Sequence, residues 1–288
     1  LTGRYNKRVL TDAFSLTGAG LNLEVAVDYA EQEKFKSLSI SKLQVDDILD
    51  VFGQFNPAMG IEIFGGWVNF PNLMAGMPET NAAQTAPLAL KVALDEVVLG
   101  ENKLTEFRAD LISAPQLSGP FSAKVNGVAK VVAVLSPLNG RTALEVTSEQ
   151  AGRLLTSVGA LQSATGGQLK LNLTPTQQMG ETDGLLEIRN VKVQKAPVFA
   201  ELLNAISIVG LLEQLTGPGI LLSEIDAKFR STEEQIIVES ASAFGPPIGL
   251  SLDGYYNRKA ESLDMQGVLS PIYFINGIGS ALTRKGDG

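Results

Sequence analysis

The stretch GLNLEVAVDY, residues 20–29, decides the fold class of this chain, because apolar and polar side chains alternate along it. One face of an extended chain would carry the apolar residues Leu21, Leu23, Val25, Val27 and Tyr29. The other face would carry Asn22, Glu24 and Asp28. This period of two residues predicts a β-strand with one apolar face and one face in water.

The same alternation returns along most of the chain. It is found in SLSI (37–40), LALKVAL (88–94), TALEV (142–146), QLKLNL (168–173), LLEI (185–188), VKV (191–193), EIDAKF (224–229), IGLSLDGYY (248–256) and SLDMQGVL (262–269). Glycine, asparagine, aspartate or proline, which form turns, separates most of these stretches. The sequence therefore predicts a mainly β chain with an antiparallel sheet.

Two short stretches predict helices that lie on the sheet. In residues 147–161, Thr147 and Gln150 have the spacing of a capping box. The apolar stripe of this helix would be Ala151, Leu154, Leu155, Val158 and Leu161. The second stretch is QVDDILDVFGQF (44–55), whose apolar side would consist of Ile48, Leu49 and Phe52.

A third helix is predicted between Pro197, which suits a first helical turn, and the terminating residues 217–219. One side of this helix would carry Phe199, Leu202, Leu203, Ile206, Val209 and Leu212. The far side would carry Ile208, Leu211 and Leu215. Two interpretations stay open: a core helix between two layers, or a helix whose far side meets lipid or an apolar partner.

Residues 71–87 are rich in small and polar residues, and they predict a flexible loop. This loop is the only internal domain boundary that the sequence indicates. It divides the chain into an N-terminal group of strands, 1–75, and a larger region, 76–288. A chain that starts with Leu is expected to be a fragment of a longer one.

The composition excludes several classes of function. The net charge is −8, without a run of Lys or Arg, which argues against nucleic-acid binding. Histidine and cysteine are both absent, so catalytic triads with His, thiolate nucleophiles and imidazole metal sites are excluded. We therefore expect no catalytic residue.

Asp46, Asp47 and Asp50 have the D-D-x-x-D spacing that binds magnesium and diphosphate in all-helical isoprenoid synthases. The surrounding stretches predict strands, and no second acidic cluster accompanies the motif. We interpret these acids as favourable charges at the N-terminus of a helix, and we expect no metal site.

Residues 90–288 resemble the C-terminal region of AsmA-like envelope proteins. Three segments carry the resemblance in the same order: AGRLLTSVGALQSATGGQLKLNL (151–173), GLLEIRNVKVQKAPVFAELLNAISIVGLLEQLTGPGI (184–220) and ASAFGPPIGLSLDGYYNRKAESLDMQGVLSPIYFIN (241–276). The first ninety residues fit this family only loosely, as further strands.

The resemblance implies a long, twisted antiparallel sheet curled into an open groove, with two or three short helices packed on it. It also implies an N-terminal anchor in the inner membrane, a location at its periplasmic face and a role in phospholipid transport to the outer membrane. Acyl chains would contact the strand residues Leu169, Leu171, Leu173, Leu186, Ile188, Ile225, Phe229, Leu250 and Leu252. Phospholipid is the only bound ligand expected, and other envelope proteins are expected partners.

Two further functions stay open beside lipid binding. One is a structural envelope protein that supports outer-membrane protein assembly through contacts of sheet edges or helices. The other is an enzyme that uses carboxylates on glycans or diphosphates, for which the sequence offers no catalytic arrangement. A groove lined by strand faces would favour the lipid-binding function.

Overall fold

A computed structural model describes residues 2–6, 9–30, 34–76, 86–194, 213, 217–246 and 248–271. Most of this part of the chain is β-strand, and the helices α1 and α2 within it are each seven residues long. The chain divides into two compact units, Leu1–Thr142 and Ala143–Gly288.

The first unit contains strands β1 to β10 and helix α1. Their bounds are β1 Thr2–Asn6, β2 Val9–Gly18, β3 Leu21–Tyr29, β4 Phe35–Val45, β5 Leu49–Asn56, β6 Gly60–Asn69, α1 Phe70–Gly76, β7 Ala89–Leu99, β8 Asn102–Ile112, β9 Gly119–Val125 and β10 Ala129–Leu138. Consecutive strands pair antiparallel, except that β6 and β7 pair in parallel across the connection that contains α1.

One buried cluster of the first unit lies beside α1. Its buried residues are Val51, Val68, Leu94 and Val97. Leu73 of α1 and Phe107 of β8 pack against this cluster. A helix side chain and an aromatic ring from a strand thus help to bury this cluster.

The second unit contains strands β11 to β17 and helix α2. Their bounds are β11 Arg141–Ser148, α2 Ala151–Ser157, β12 Ser163–Pro175, β13 Thr182–Gln194, β14 Ile220–Ser231, β15 Gln235–Gly245, β16 Ile248–Asn257 and β17 Ser262–Pro271. β11 begins two residues before the boundary between the units. Each strand from β11 to β17 pairs antiparallel with the next one in sequence.

Helix α2 lies close to β12 because a glycine faces that strand. A Cβ atom at Gly152 would lie within 2.6 Å of the carbonyl carbon of Ala164. Ala151 and Leu154 of the same helix are also buried. Only a residue without a side chain allows this approach of helix and strand backbones.

The mainly β fold class, with largely antiparallel strand pairing and short helices, is confirmed. The alternating stretch at residues 20–29 contains strand β3, as predicted. The stretches 185–188 and 191–193 are parts of one strand, β13. The predicted domain boundary after residue 75 falls inside the first unit.

The helix predicted for residues 44–55 is wrong. Residues 46–48 form a turn, and Leu49–Asn56 is strand β5, paired with β4 and β6. Val51 is buried and Phe52 is exposed, as alternate residues of a strand are. A short apolar run fits both periods, and here pairing with two neighbouring strands selects the extended one.

Two boundaries also differ from the prediction. Thr147 belongs to strand β11, and α2 begins only at Ala151, so no capping box forms between Thr147 and Gln150. The Ser148 hydroxyl instead accepts a hydrogen bond from the Gln150 backbone N–H at 3.2 Å. The first residues of the predicted loop 71–87 belong to α1.

Candidate functional site

The second unit has a continuous apolar face, formed by residues that oppose one another on β12 to β16. Its first row is Leu169, Ile188, Ile225, Ala243 and Leu250. Its second row is Leu171, Leu186, Ala227, Ala241 and Leu252. A third row begins with Leu173, Gly184 and Phe229. Directly opposed residues point to the same side of a sheet, so the rows form one surface.

The register brings together every strand residue that was predicted to contact acyl chains. Those residues are Leu169, Leu171, Leu173, Leu186, Ile188, Ile225, Phe229, Leu250 and Leu252. Ile188 and Leu169 are buried, at 2% and 7% exposure, and the remaining residues are half-buried. Alternation within each strand places these residues on one face of the sheet. The register between the strands then aligns them in rows across that face.

The opposite face of the same strands carries ion pairs. Arg189 Nη1 lies 2.8 Å from Asp226 Oδ1, and Arg230 Nε lies 2.7 Å from Asp183 Oδ1. The hydrogen bond from Arg230 lowers the pKa of the Asp183 carboxyl below its ordinary value of 3.8. These charges remain solvated, since the four side chains are 35–43% exposed. The sheet of this unit therefore separates an apolar side from a charged one.

A cavity of about 250 Å³ opens on the apolar face. Its described lining consists of Leu161, Val193, Ile220, Leu222, Ile225, Ala241, Ser242, Ala243, Ile248, Leu250 and Leu252. Ser242 is the one polar residue among them, and none of them carries a charge. An aliphatic solute would find many apolar contacts here and no ionic partner.

Two alanines give the cavity its depth. In the register, Ala243 lies between Ile225 on β14 and Leu250 on β16. Ala241 lies in the next row, beside Leu252 on β16. A register shift between Val238 and Ala241 lets both of these residues face the apolar side. The short side chains leave a gap, which Ile225 and Leu250 border on both sides at Ala243 and which Leu252 borders at Ala241.

The segment after helix α2 borders the cavity through Leu161. The backbone N–H groups of Ala160 and Leu161 both donate to the Leu155 carbonyl oxygen, at 2.9 and 3.2 Å. Leu154, the residue before Leu155, is buried. The close contact of α2 with β12 therefore places an apolar side chain at the edge of the cavity.

The residues of the third predicted helix lie outside the described residues. They are Phe199, Leu202, Leu203, Ile206, Ile208, Val209, Leu211, Leu212 and Leu215. Whether they line the groove stays a prediction.

The acidic motif is arranged differently from the prediction. Asp46 and Asp47 lie in the turn before β5, and Asp50 lies within β5, opposite Trp67. Asp47 accepts a hydrogen bond from the Asn72 side-chain amide at 2.8 Å. The acids therefore do not mark a helix N-terminus. Within the described residues, no group of three acidic side chains is close enough to bind a metal ion.

Sequence reasoning missed most of the residues that line the cavity. Val193, Ile220 and Ile248 are buried at the ends of their strands, just beyond or at the limits of the alternating stretches. In residues 240–243, Ala241 and Ala243 alternate with Ser240 and Ser242. This alternation of alanine and serine is a sign of a strand with one apolar face. Because alanine is only weakly apolar, the sequence analysis did not use it.

Comparison of the chain with protein-family models, curated proteins and solved structures gave no match. Neither α1 nor α2, nor any other helix in the described ranges, is long and apolar enough to cross a membrane.

Proposed function

We propose that the second unit binds hydrocarbon chains of lipids in the cavity on its apolar face. The observation that carries this proposal is the lining, in which ten of eleven described residues are apolar. An apolar cavity of about 150 Å³ stays free of water and binds benzene, so a larger one suits an aliphatic chain. The polar head group of the lipid would stay in water.

The energetics favour such a ligand. Each buried CH₂ group contributes about 0.8 kcal/mol, so a chain segment of several carbons supplies enough free energy for measurable binding. A charged or strongly polar ligand would lose its hydration without gaining a partner from the described lining. Hydrocarbon is therefore the ligand chemistry that this cavity serves best.

We further propose that this binding serves phospholipid transport in a cell envelope, at the periplasmic face of the inner membrane. Support comes from the resemblance of residues 90–288 to AsmA-like proteins. Support also comes from the apolar rows, which cross five strands from Leu169 on β12 to Leu250 on β16. Acyl chains would slide along such a face without chemical change. The function is accordingly proposed to be non-enzymatic.

Native mass spectrometry of the purified chain tests lipid binding directly. We expect a bound phospholipid in the wild-type chain and its loss in Leu250→Glu, which places a charge in the cavity. Leu250→Gln is a milder variant for the case that the charge unfolds the unit. Ser251→Glu is the matched control, because Ser251 is exposed on the other face of the same strand.

Circular dichroism and the thermal midpoint establish that each variant is folded. A wild-type chain that neither retains phospholipid nor takes it from vesicles would overturn the proposal, and contacts with other envelope proteins would become the favoured function. Equal lipid content in folded Leu250→Gln and in wild type would show that lipid binds elsewhere.

A further inference from the structure

We infer that the cavity takes a single unbranched hydrocarbon chain of about ten carbons, and that Ala241 and Ala243 set this length. The estimate follows from volume: benzene places six carbons in about 150 Å³, or about 25 Å³ per carbon, so 250 Å³ holds about ten. This inference rests on the proposed function and adds the size of the ligand segment and the residues that determine it.

The width of the cavity favours one chain over a fused-ring system. Ala243 on β15 lies between Ile225 on β14 and Leu250 on β16. Neighbouring strands are about 4.8 Å apart, so at Ala243 the gap above β15 is about one strand wide. A hydrocarbon chain lying along β15 fits between the two larger side chains, whereas a rigid ring system would contact both of them.

The alanines determine the length because they lie in line along one strand. Ala241 and Ala243 are two residues apart on the same face, a distance of about 7 Å. Leucine in place of either alanine adds three carbons to the lining. At about 25 Å³ per carbon, one such substitution removes space for about three carbons of the ligand.

Isothermal titration calorimetry with straight-chain carboxylates tests this inference, over a series from about six to about sixteen carbons below their micelle-forming concentrations. For the wild-type chain, affinity should rise about fourfold with each carbon and level off near ten, since only buried CH₂ groups contribute. In Ala243→Leu the affinity should level off at about seven carbons. In Ala241→Leu the levelling point should shift by a similar number of carbons.

Ser251→Leu is the matched control, because it adds the same carbons on the opposite, exposed face of β16. Its chain-length profile should equal that of the wild type. Circular dichroism establishes folding, and Ala243→Val, with a shift of about two carbons, replaces Ala243→Leu if the larger side chain disrupts the unit.

The outcomes separate the two proposals. A wild-type chain that binds no carboxylate of any length overturns the proposed function and the length rule together. Binding whose affinity keeps rising well past ten carbons overturns the length rule alone. A levelling point that folded Ala243→Leu or Ala243→Val leaves unchanged also overturns the assigned role of the alanines, while lipid binding stands.

Discussion

The two units use the same kind of apolar sheet face in different ways. In the first unit, Leu73 of α1 and Phe107 of β8 pack against the buried cluster Val51, Val68, Leu94 and Val97. In the second unit, Ala241 and Ala243 occupy the face, and a cavity of about 250 Å³ remains beside them. Strand periodicity alone does not separate these cases.

The difference teaches that side-chain size and the approach of a helix decide whether a sheet face becomes core or binding surface. α1 reaches its sheet with a leucine, whereas α2 approaches β12 through Gly152. The cluster of the first unit is buried, with Leu73 and Phe107 packed against it. The face of the second unit retains space for a ligand.

The largest expected effect is the loss of a side chain from the filled core. Leu94→Ala should destabilise the first unit by about 2–5 kcal/mol, because Leu94 is 5% exposed and its removal leaves a new cavity. Leu250→Ala should cost clearly less, since Leu250 is half-buried and already borders a cavity. Urea unfolding measures both changes.

Trp67 lets the same experiment separate the units. It is the only tryptophan and lies in β6 of the first unit. Leu94→Ala should shift the unfolding transition followed by Trp67 fluorescence. If Leu250→Ala destabilises the chain as much as Leu94→Ala does, the contrast between a filled core and an open cavity is wrong.

A side chain added between α2 and β12 is expected to cost slightly less. Gly152→Val should destabilise the second unit by about 1–3 kcal/mol, because its Cβ would meet the Ala164 backbone. Gly18→Ala, at a glycine whose Cβ would meet no atom within 4 Å, is the control. Thermal unfolding followed by circular dichroism measures the difference, and a Gly152→Val midpoint equal to that of wild type contradicts the close contact.

Enlarging a buried alanine should distinguish the units further. Ala133→Leu, at a position 1% exposed in β10, should destabilise the first unit by about 1–3 kcal/mol through overpacking. Ala243→Leu should change stability by less than about 1 kcal/mol, because its added carbons enter an existing cavity. Equal losses in chemical denaturation would mean that the second face is as tightly packed as the first.

The smallest effect concerns the charged face of the second unit. Asp183→Asn should lower stability by at most about 1 kcal/mol, since Asp183 and Arg230 are 43% and 40% exposed. The native pKa of Asp183 is lowered, so its contribution is present above 3.8 and is lost as the pH falls through the native pKa. The difference from wild type should therefore be full at neutral pH and shrink below pH 3.8.

Unfolding at several pH values checks this prediction. Glu106→Gln, which removes the ion pair of Glu106 with Lys124 in the first unit, is the counterpart and should have a smaller effect because Glu106 is 63% exposed. A stability difference for Asp183→Asn that persists unchanged at the lowest pH would indicate lost packing rather than lost charge.

Much of the fold and one part of the candidate site followed from alternation. A strand buries every second side chain, so its apolar face can be read without knowing the partner strands. That is why β3 and the face residues from Leu169 to Leu252 were predicted correctly as members of alternating strands. The failures were short segments such as 44–55, where helical and extended periods both fit Leu49 and Phe52.

The cavity could not be predicted in the same way, because it depends on which residues oppose one another. Ala243 forms a gap only because the register places it between Ile225 and Leu250. The alternation of apolar and polar residues is a property of each strand's own sequence. Register, the bulge before Ala241 and the approach of α2 through Gly152 depend on contacts between different segments, and the periodicity of a single strand does not contain them.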